Sequence, residues 1–119
     1  MNRNLVILDP AGVWQLEFKS SRISLGRFAS NDLVLDDPLV SRRHATLEVC
    51  GEVTWLVDHG SSNGVLLNGK KVIGCSPVFH RDILLIGNTR VRFTEQKHNH
   101  VQWRDLQLDI APMTSEASV

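Results

Sequence analysis

The chain has 119 residues, 42% of them hydrophobic and 22% charged, which fits one domain with its own core and excludes a disordered class. Its 13 Lys and Arg balance 13 Asp and Glu, so nothing pulls nucleic acid or an anionic membrane from a distance, and any anion site must be local. The opening "MNRNLVILDP" lacks a signal-peptide pattern, no stretch approaches the roughly 20 apolar residues of a membrane span, and Cys50 and Cys75 have no metal-type spacing. A cytoplasmic chain with free thiols is the expectation.

Short apolar runs then alternate with turn signals. "LVIL" (5–8) reads as a strand and "DPAG" as its turn, followed by "VWQLEF" (13–18) with Trp14, Leu16 and Phe18 on one face. "ISLG" (23–26) and "LVL" (33–35) are brief, while "ATLEV" (45–49) and "VTWLV" (53–57) flank the hairpin connection "CGE". "GVLLN" runs into Asn68-Gly69, a dipeptide suited to a two-residue hairpin turn, and "ILLI" (83–86) and "TRVRF" (89–93) flank "GN". No window through residue 94 sustains helical periodicity, and many short strands at regular turn spacing predict an all-β sandwich or barrel. Beyond it, "RDLQLDI" suits a strand or one helical turn, and "APMTSEASV" has a disordered composition. The expected organisation is one β domain over 1–94 and a C-terminal extension over 95–119, partly disordered or linker-like.

The conspicuous polar residues fall in the connections 27–32, 36–44, 58–64 and 68–71, where a rigid sandwich carries its binding surfaces. In "LGRF", Gly26 permits a tight backbone and Arg27 emerges as the chain turns. In "SRRH" (41–44), a hydroxyl and a guanidinium on adjacent residues can reach one phosphate, and arginine's planar fork suits that contact. "DHGSSNG" (58–64) is a hydroxyl-rich turn whose Asn63-Gly64 tolerates positive φ. Each of these, alone, also reads as an ordinary solvated turn; it is the combination and order that carry information.

The run "LGRFASNDLVLDDPLVSRRHATLEV…WLVDHGSSNGVLLNGKKV" (25–72) resembles the forkhead-associated (FHA) domain, whose pattern is GR, then SxxH, then a polar SxNG-type turn, then NG. The resemblance implies an FHA-type β-sandwich of about 11 short strands with its binding loops at one end. It further implies a phosphothreonine-containing protein or peptide as partner, a substrate of Ser/Thr kinases, and no cofactor or metal. Arg27 matches the arginine that contacts the phosphate, Ser41 the serine hydroxyl contact, and Arg42 the residue beside it. Ser62 matches the hydroxyl of the polar turn, and Asn63 the residue that hydrogen-bonds the peptide main chain. Gly26, His44, Gly64, Asn68 and Gly69 match positions that support loop geometry. Val65 and His59 stand where Thr and Leu are frequent in the family, and Leu39 lies near where the peptide's third residue after the phosphothreonine is read. Phosphothreonine brings about −1.5 to −2 charges at neutral pH, which Arg27 and Arg42 would match while Ser41 and Ser62 fix its orientation. Arg43 is expected to face solvent.

Two rival readings follow from the same residues. Ser41, His44 and Asp58 compose a catalytic triad on paper, but no G-x-S-x-G elbow is present, and a triad demands a geometry that spacing does not show. Alternatively, the domain is a phospho-independent interaction or structural module within a larger assembly. Past the sandwich, His98 and His100 lack companions for a metal site, and Thr114 is a candidate phosphorylation site that would engage a second copy.

Overall fold

The computed structural model describes residues 2–96; the readings attached to His98, His100, Thr114 and the segment after Gln96 lie outside the described residues. The strands are, in chain order, β1 (Asn2–Asp9), β2 (Gly12–Phe18), β3 (Arg22–Gly26), β4 (Leu33–Val34), β5 (Ala45–Cys50) and β6 (Val53–Asp58). They continue with β7 (Leu66–Leu67), β8 (Lys70–Lys71), β9 (Cys75–Val78), β10 (Ile83–Ile86) and β11 (Thr89–Gln96), and no helix occurs among the described residues. One sheet has the order β2-β1-β11-β10-β7-β8 and the other β4-β3-β5-β6-β9, with every pairing antiparallel except β3 with β4. The expected all-β sandwich of about 11 short strands is the observed fold.

The period of two that marks the sequence becomes the inside and outside of this sandwich. In β11, Val91 and Phe93 are fully buried while Arg90 and Arg92 stay exposed. Leu5 and Ile7 of β1, Leu25 of β3, Leu47 of β5, Leu56 of β6 and Leu84 and Ile86 of β10 close the core from both sheets. Each such side chain contributes roughly 1.5–3 kcal/mol by leaving water. Trp14, Leu16 and Phe18 do share a face of the edge strand β2, pairing with Ile7, Leu5 and Arg3, but they grade from exposed to buried along it. β9 has no counterpart among the apolar runs of the sequence. It carries Pro77 and stands at the edge of its sheet, a place where a missing N–H donor costs no ladder bond.

Turn chemistry sets the register. Asn68 and Gly69 have φ of 50° and 86°, the paired left-handed residues of a type I′ turn joining β7 to β8. Register also determines where loops emerge. Leu25 pairs with Ala45 and Ala45 with Asp58, so the end of β3, the start of β5 and the end of β6 lie level. Loops 27–32, 35–44 and 59–65 therefore open at the same end of the sandwich. Cys50 and Cys75 are exposed and unpaired.

Candidate functional site

Gly26 is where two of these loops touch. A Cβ there would stand 2.3 Å from the Arg42 carbonyl oxygen and 2.7 Å from Asn31 Nδ2, so only glycine lets the chains approach this closely. Through that contact the Arg27 N–H reaches Ser41 O at 3.0 Å, and the Arg42 carbonyl accepts from Phe28 N–H and Asn31 Nδ2. Asn31 Nδ2 also donates to Phe28 O at 2.8 Å, which makes this buried side chain a clamp between the loops.

His44 is fully buried beneath them. Its Nδ1 accepts the Ser41 N–H at 3.0 Å, which leaves Nε2 as the protonated nitrogen, donating to Gly64 O at 2.7 Å. One imidazole thus ties the second loop to the third. The third loop carries its own brace. Asp58 accepts from both the N–H and the hydroxyl of Ser61, and Ser61 Oγ accepts from Gly64 N–H.

The polar groups singled out in the sequence follow from this frame. Arg27 Nε donates to Val40 O at 3.1 Å, and Ser41 Oγ accepts the Ser62 N–H at 3.0 Å. Arg27 and Arg42 both approach the Phe28 ring, with Cζ at 6.0 and 5.2 Å from its centroid, a cation–π arrangement that gathers two like charges about one exposed aromatic ring. The ion pairs among the described residues join Arg3 to Glu95, Lys19 to Glu17 and Arg22 to Glu48, so neither arginine is neutralised by a carboxylate. Asn63 Nδ2 donates to Leu39 O at 2.8 Å, leaving its Oδ1 as an acceptor for a peptide N–H.

A further support lies farther back. Asp37 is buried, and it accepts Asn88 N–H at 2.7 Å and Leu39 N–H at 2.8 Å. These bonds, that from Asn88 first, hold its carboxyl below the ordinary pKa of 3.8. Val40 N–H binds the Asp37 carbonyl, so the turn between β10 and β11 fixes the loop that offers Val40 O to Arg27.

Arg27, Ser41, Arg42, Ser62 and Asn63 are thus brought to one end, with Gly26, His44 and Gly64 behind them. Asn68 and Gly69 are not. Asn68 bonds instead to Asp82 Oδ1 and to the Ile83 backbone, at the end of β10 away from its turn with β11. Phe28, Asn31 and Asp37 were not singled out in the sequence. Phe28 follows the Gly-Arg pair directly and Asn31 lies in the polar "SND", but the Asp37–Asn88 bond spans 51 positions and leaves no local signal. Val65, standing where Thr is frequent, is fully buried and serves the core.

The same contacts dismantle the paper triad. Both ring nitrogens of His44 are engaged by backbone groups, and Asp58 binds Ser61 rather than His44. The Ser41 hydroxyl has no hydrogen bond to the imidazole.

A family model of the FHA domain matches residues 23–87. The chain belongs to the FHA family. Its FHA domain is 30% identical over 103 residues to the ABC transporter ATP-binding/permease protein Rv1747 of Mycobacterium tuberculosis, covering 82% of this chain and 12% of that protein. It is 37% identical over 70 residues to the glycogen accumulation regulator GarA of Mycolicibacterium smegmatis, covering 59% of this chain and 44% of that one. Among solved structures, Mycobacterium tuberculosis EmbR in complex with a low-affinity phosphopeptide superposes with a TM-score of 0.72 at 26% identity, over 82% of this chain and 26% of EmbR. The FHA domain here thus spans less than half the length of these relatives.

Proposed function

We propose that this FHA domain binds phosphothreonine-containing segments of proteins phosphorylated by Ser/Thr kinases, and catalyses nothing itself. The observation that carries this reading is the pair Arg27 and Arg42, without a carboxylate partner among the described residues and gathered about Phe28, with Ser41 bonded to the Arg27 backbone. Arg27 and Arg42 supply charge to the phosphate, Ser41 and Ser62 supply short donors, and Asn63 binds the peptide backbone. Each charge-assisted bond of this kind contributes roughly 1.5–3 kcal/mol, which unmodified threonine cannot recover. EmbR's complex with a phosphopeptide supports the same use of the fold. No helix among the described residues is long and apolar enough to cross a membrane, and we place the domain in the cytoplasm with kinase substrates.

Calorimetry with matched peptides, differing only in phosphorylation of one threonine, tests the reading. Binding of the phosphorylated form alone is expected. Equal affinity for both forms would favour the phospho-independent interaction module instead.

A further inference from the structure

Arg43 takes no part in the arrangement above. Its side chain is exposed and, unlike Arg27 and Arg42, meets no aromatic ring, carboxylate or carbonyl among the described residues. It lines a cleft of about 430 Å³ together with Arg22, Ser24, Ser30, Asn31 and His59, to which Arg27, Phe28 and Arg42 do not contribute. The cleft shares Asn31 with the phosphate-facing loops, since Asn31 Nδ2 holds the Phe28 and Arg42 carbonyls. Thus the consecutive residues Arg42 and Arg43 present their guanidinium groups to two different places.

The acidic groups around the cleft are already committed. Glu48 Oε2 takes the Thr46 hydroxyl at 2.6 Å and lies 3.8 Å from Arg22 Nε, while Asp32 Oδ2 accepts the N–H and hydroxyl of Ser24. His59 Nε2 lies 3.0 Å from Thr46 Oγ1; because that hydroxyl donates to Glu48, it accepts from the ring. Among the described residues, the Arg43 charge therefore stays unmatched in this cleft. An oxyanion is the ligand this suits.

The geometry points to a second anion-binding subsite centred on Arg43, which takes a second phosphorylated residue of the same peptide. The inference rests on the phosphothreonine reading and deepens it, from recognition of one modification to preference for a doubly phosphorylated segment. An extended peptide advances about 3.3 Å per residue, so the spacing at which a second anion helps reports how far apart the two arginine sites lie. A phosphate and an acidic side chain share the required chemistry. The phosphate brings about twice the charge and three acceptor oxygens to a fork with five donors.

The test uses a singly phosphorylated peptide, versions with a second phosphothreonine at each of about four positions on either side, and the same series with Asp in its place. At one spacing the second phosphate should tighten binding about tenfold or more, with a smaller gain for Asp. Arg43→Ala should abolish that gain and leave affinity for the singly phosphorylated peptide within about twofold, whereas Arg92→Ala, which removes an exposed charge from β11, should preserve it. An equal gain for Asp would assign the subsite to acidic residues and overturn the preference for phosphate. Absence of any gain, its survival in Arg43→Ala, or an equal loss in Arg92→Ala would overturn the subsite. Should the wild type fail to bind even the singly phosphorylated peptide, the phosphothreonine reading falls first and the subsite with it.

Discussion

Ser62 donates its backbone N–H to the Oγ of Ser41 across 3.0 Å. The contact joins two loops separated by 21 positions in the chain and occupies one acceptor site of the hydroxyl. The Ser41 proton takes no part in that bond and remains a donor close to Arg27, whose N–H is held by Ser41 O. A hydroxyl oriented in this way loses little rotational freedom when an oxyanion arrives.

If Arg27 and Ser41 hold the phosphate as proposed, removing either should cost binding without costing the fold. Arg27→Ala and Ser41→Ala are each expected to weaken phosphopeptide affinity roughly ten- to hundredfold, measured by calorimetry, with thermal unfolding close to wild type. Unchanged affinity in both variants would move the site elsewhere.

Phe28 contributes through the two arginines that approach it. Phe28→Ala removes an exposed ring and should leave stability nearly unchanged. It should weaken phosphopeptide binding by a few-fold, in line with about 0.5–1 kcal/mol for an exposed cation–π contact. A double-mutant cycle with Arg42→Ala checks that the loss runs through the arginine, since coupled residues give non-additive changes.

His44 acts from inside the fold. Its replacement by Ala leaves the part-buried Ser41 N–H and the buried Gly64 carbonyl without partners. Each orphaned group costs roughly 1–3 kcal/mol, so His44→Ala should unfold at markedly lower urea concentration and bind phosphopeptide more weakly. Wild-type stability in urea titration would show that the imidazole is not the brace described.

Asp37 gives the domain a dependence on pH. Its folded pKa lies below the ordinary 3.8, so the stability it contributes is fully present above that value and is lost as pH falls through the depressed one. Asp37→Asn should therefore be less stable than wild type at neutral pH, because a neutral amide cannot accept both backbone N–H groups as a carboxylate does. The gap should stay constant down to the ordinary pKa and close below it, as followed by urea titrations across a pH series. A gap independent of pH would assign Asp37 a role in packing alone.

Much of this molecule was legible in its residues taken in order. Alternation marked most strands, because one face of each is buried and the side-chain period is two. Asn68-Gly69 announced its hairpin through the backbone conformations that its residues tolerate. The Gly-Arg, Ser-Arg and Ser-Asn-Gly loops, in that order, pointed to the site and its family. β9 escaped that reading because an edge strand tolerates Pro77 and needs no continuous apolar run.

What the order of residues could not decide is which side chains meet. Phe28 gathers Arg27 and Arg42, Asn31 clamps the Arg42 carbonyl, and Asp37 reaches Asn88. These contacts depend on β3, β5 and β6 ending level and on the two sheets closing over one core. The parting of Arg42 from Arg43 is likewise tertiary. Sequence places them side by side, and only the fold directs one to the Phe28 ring and the other to a separate cleft, because that cleft is completed by β3, β5 and His59, which meet only in the folded sandwich.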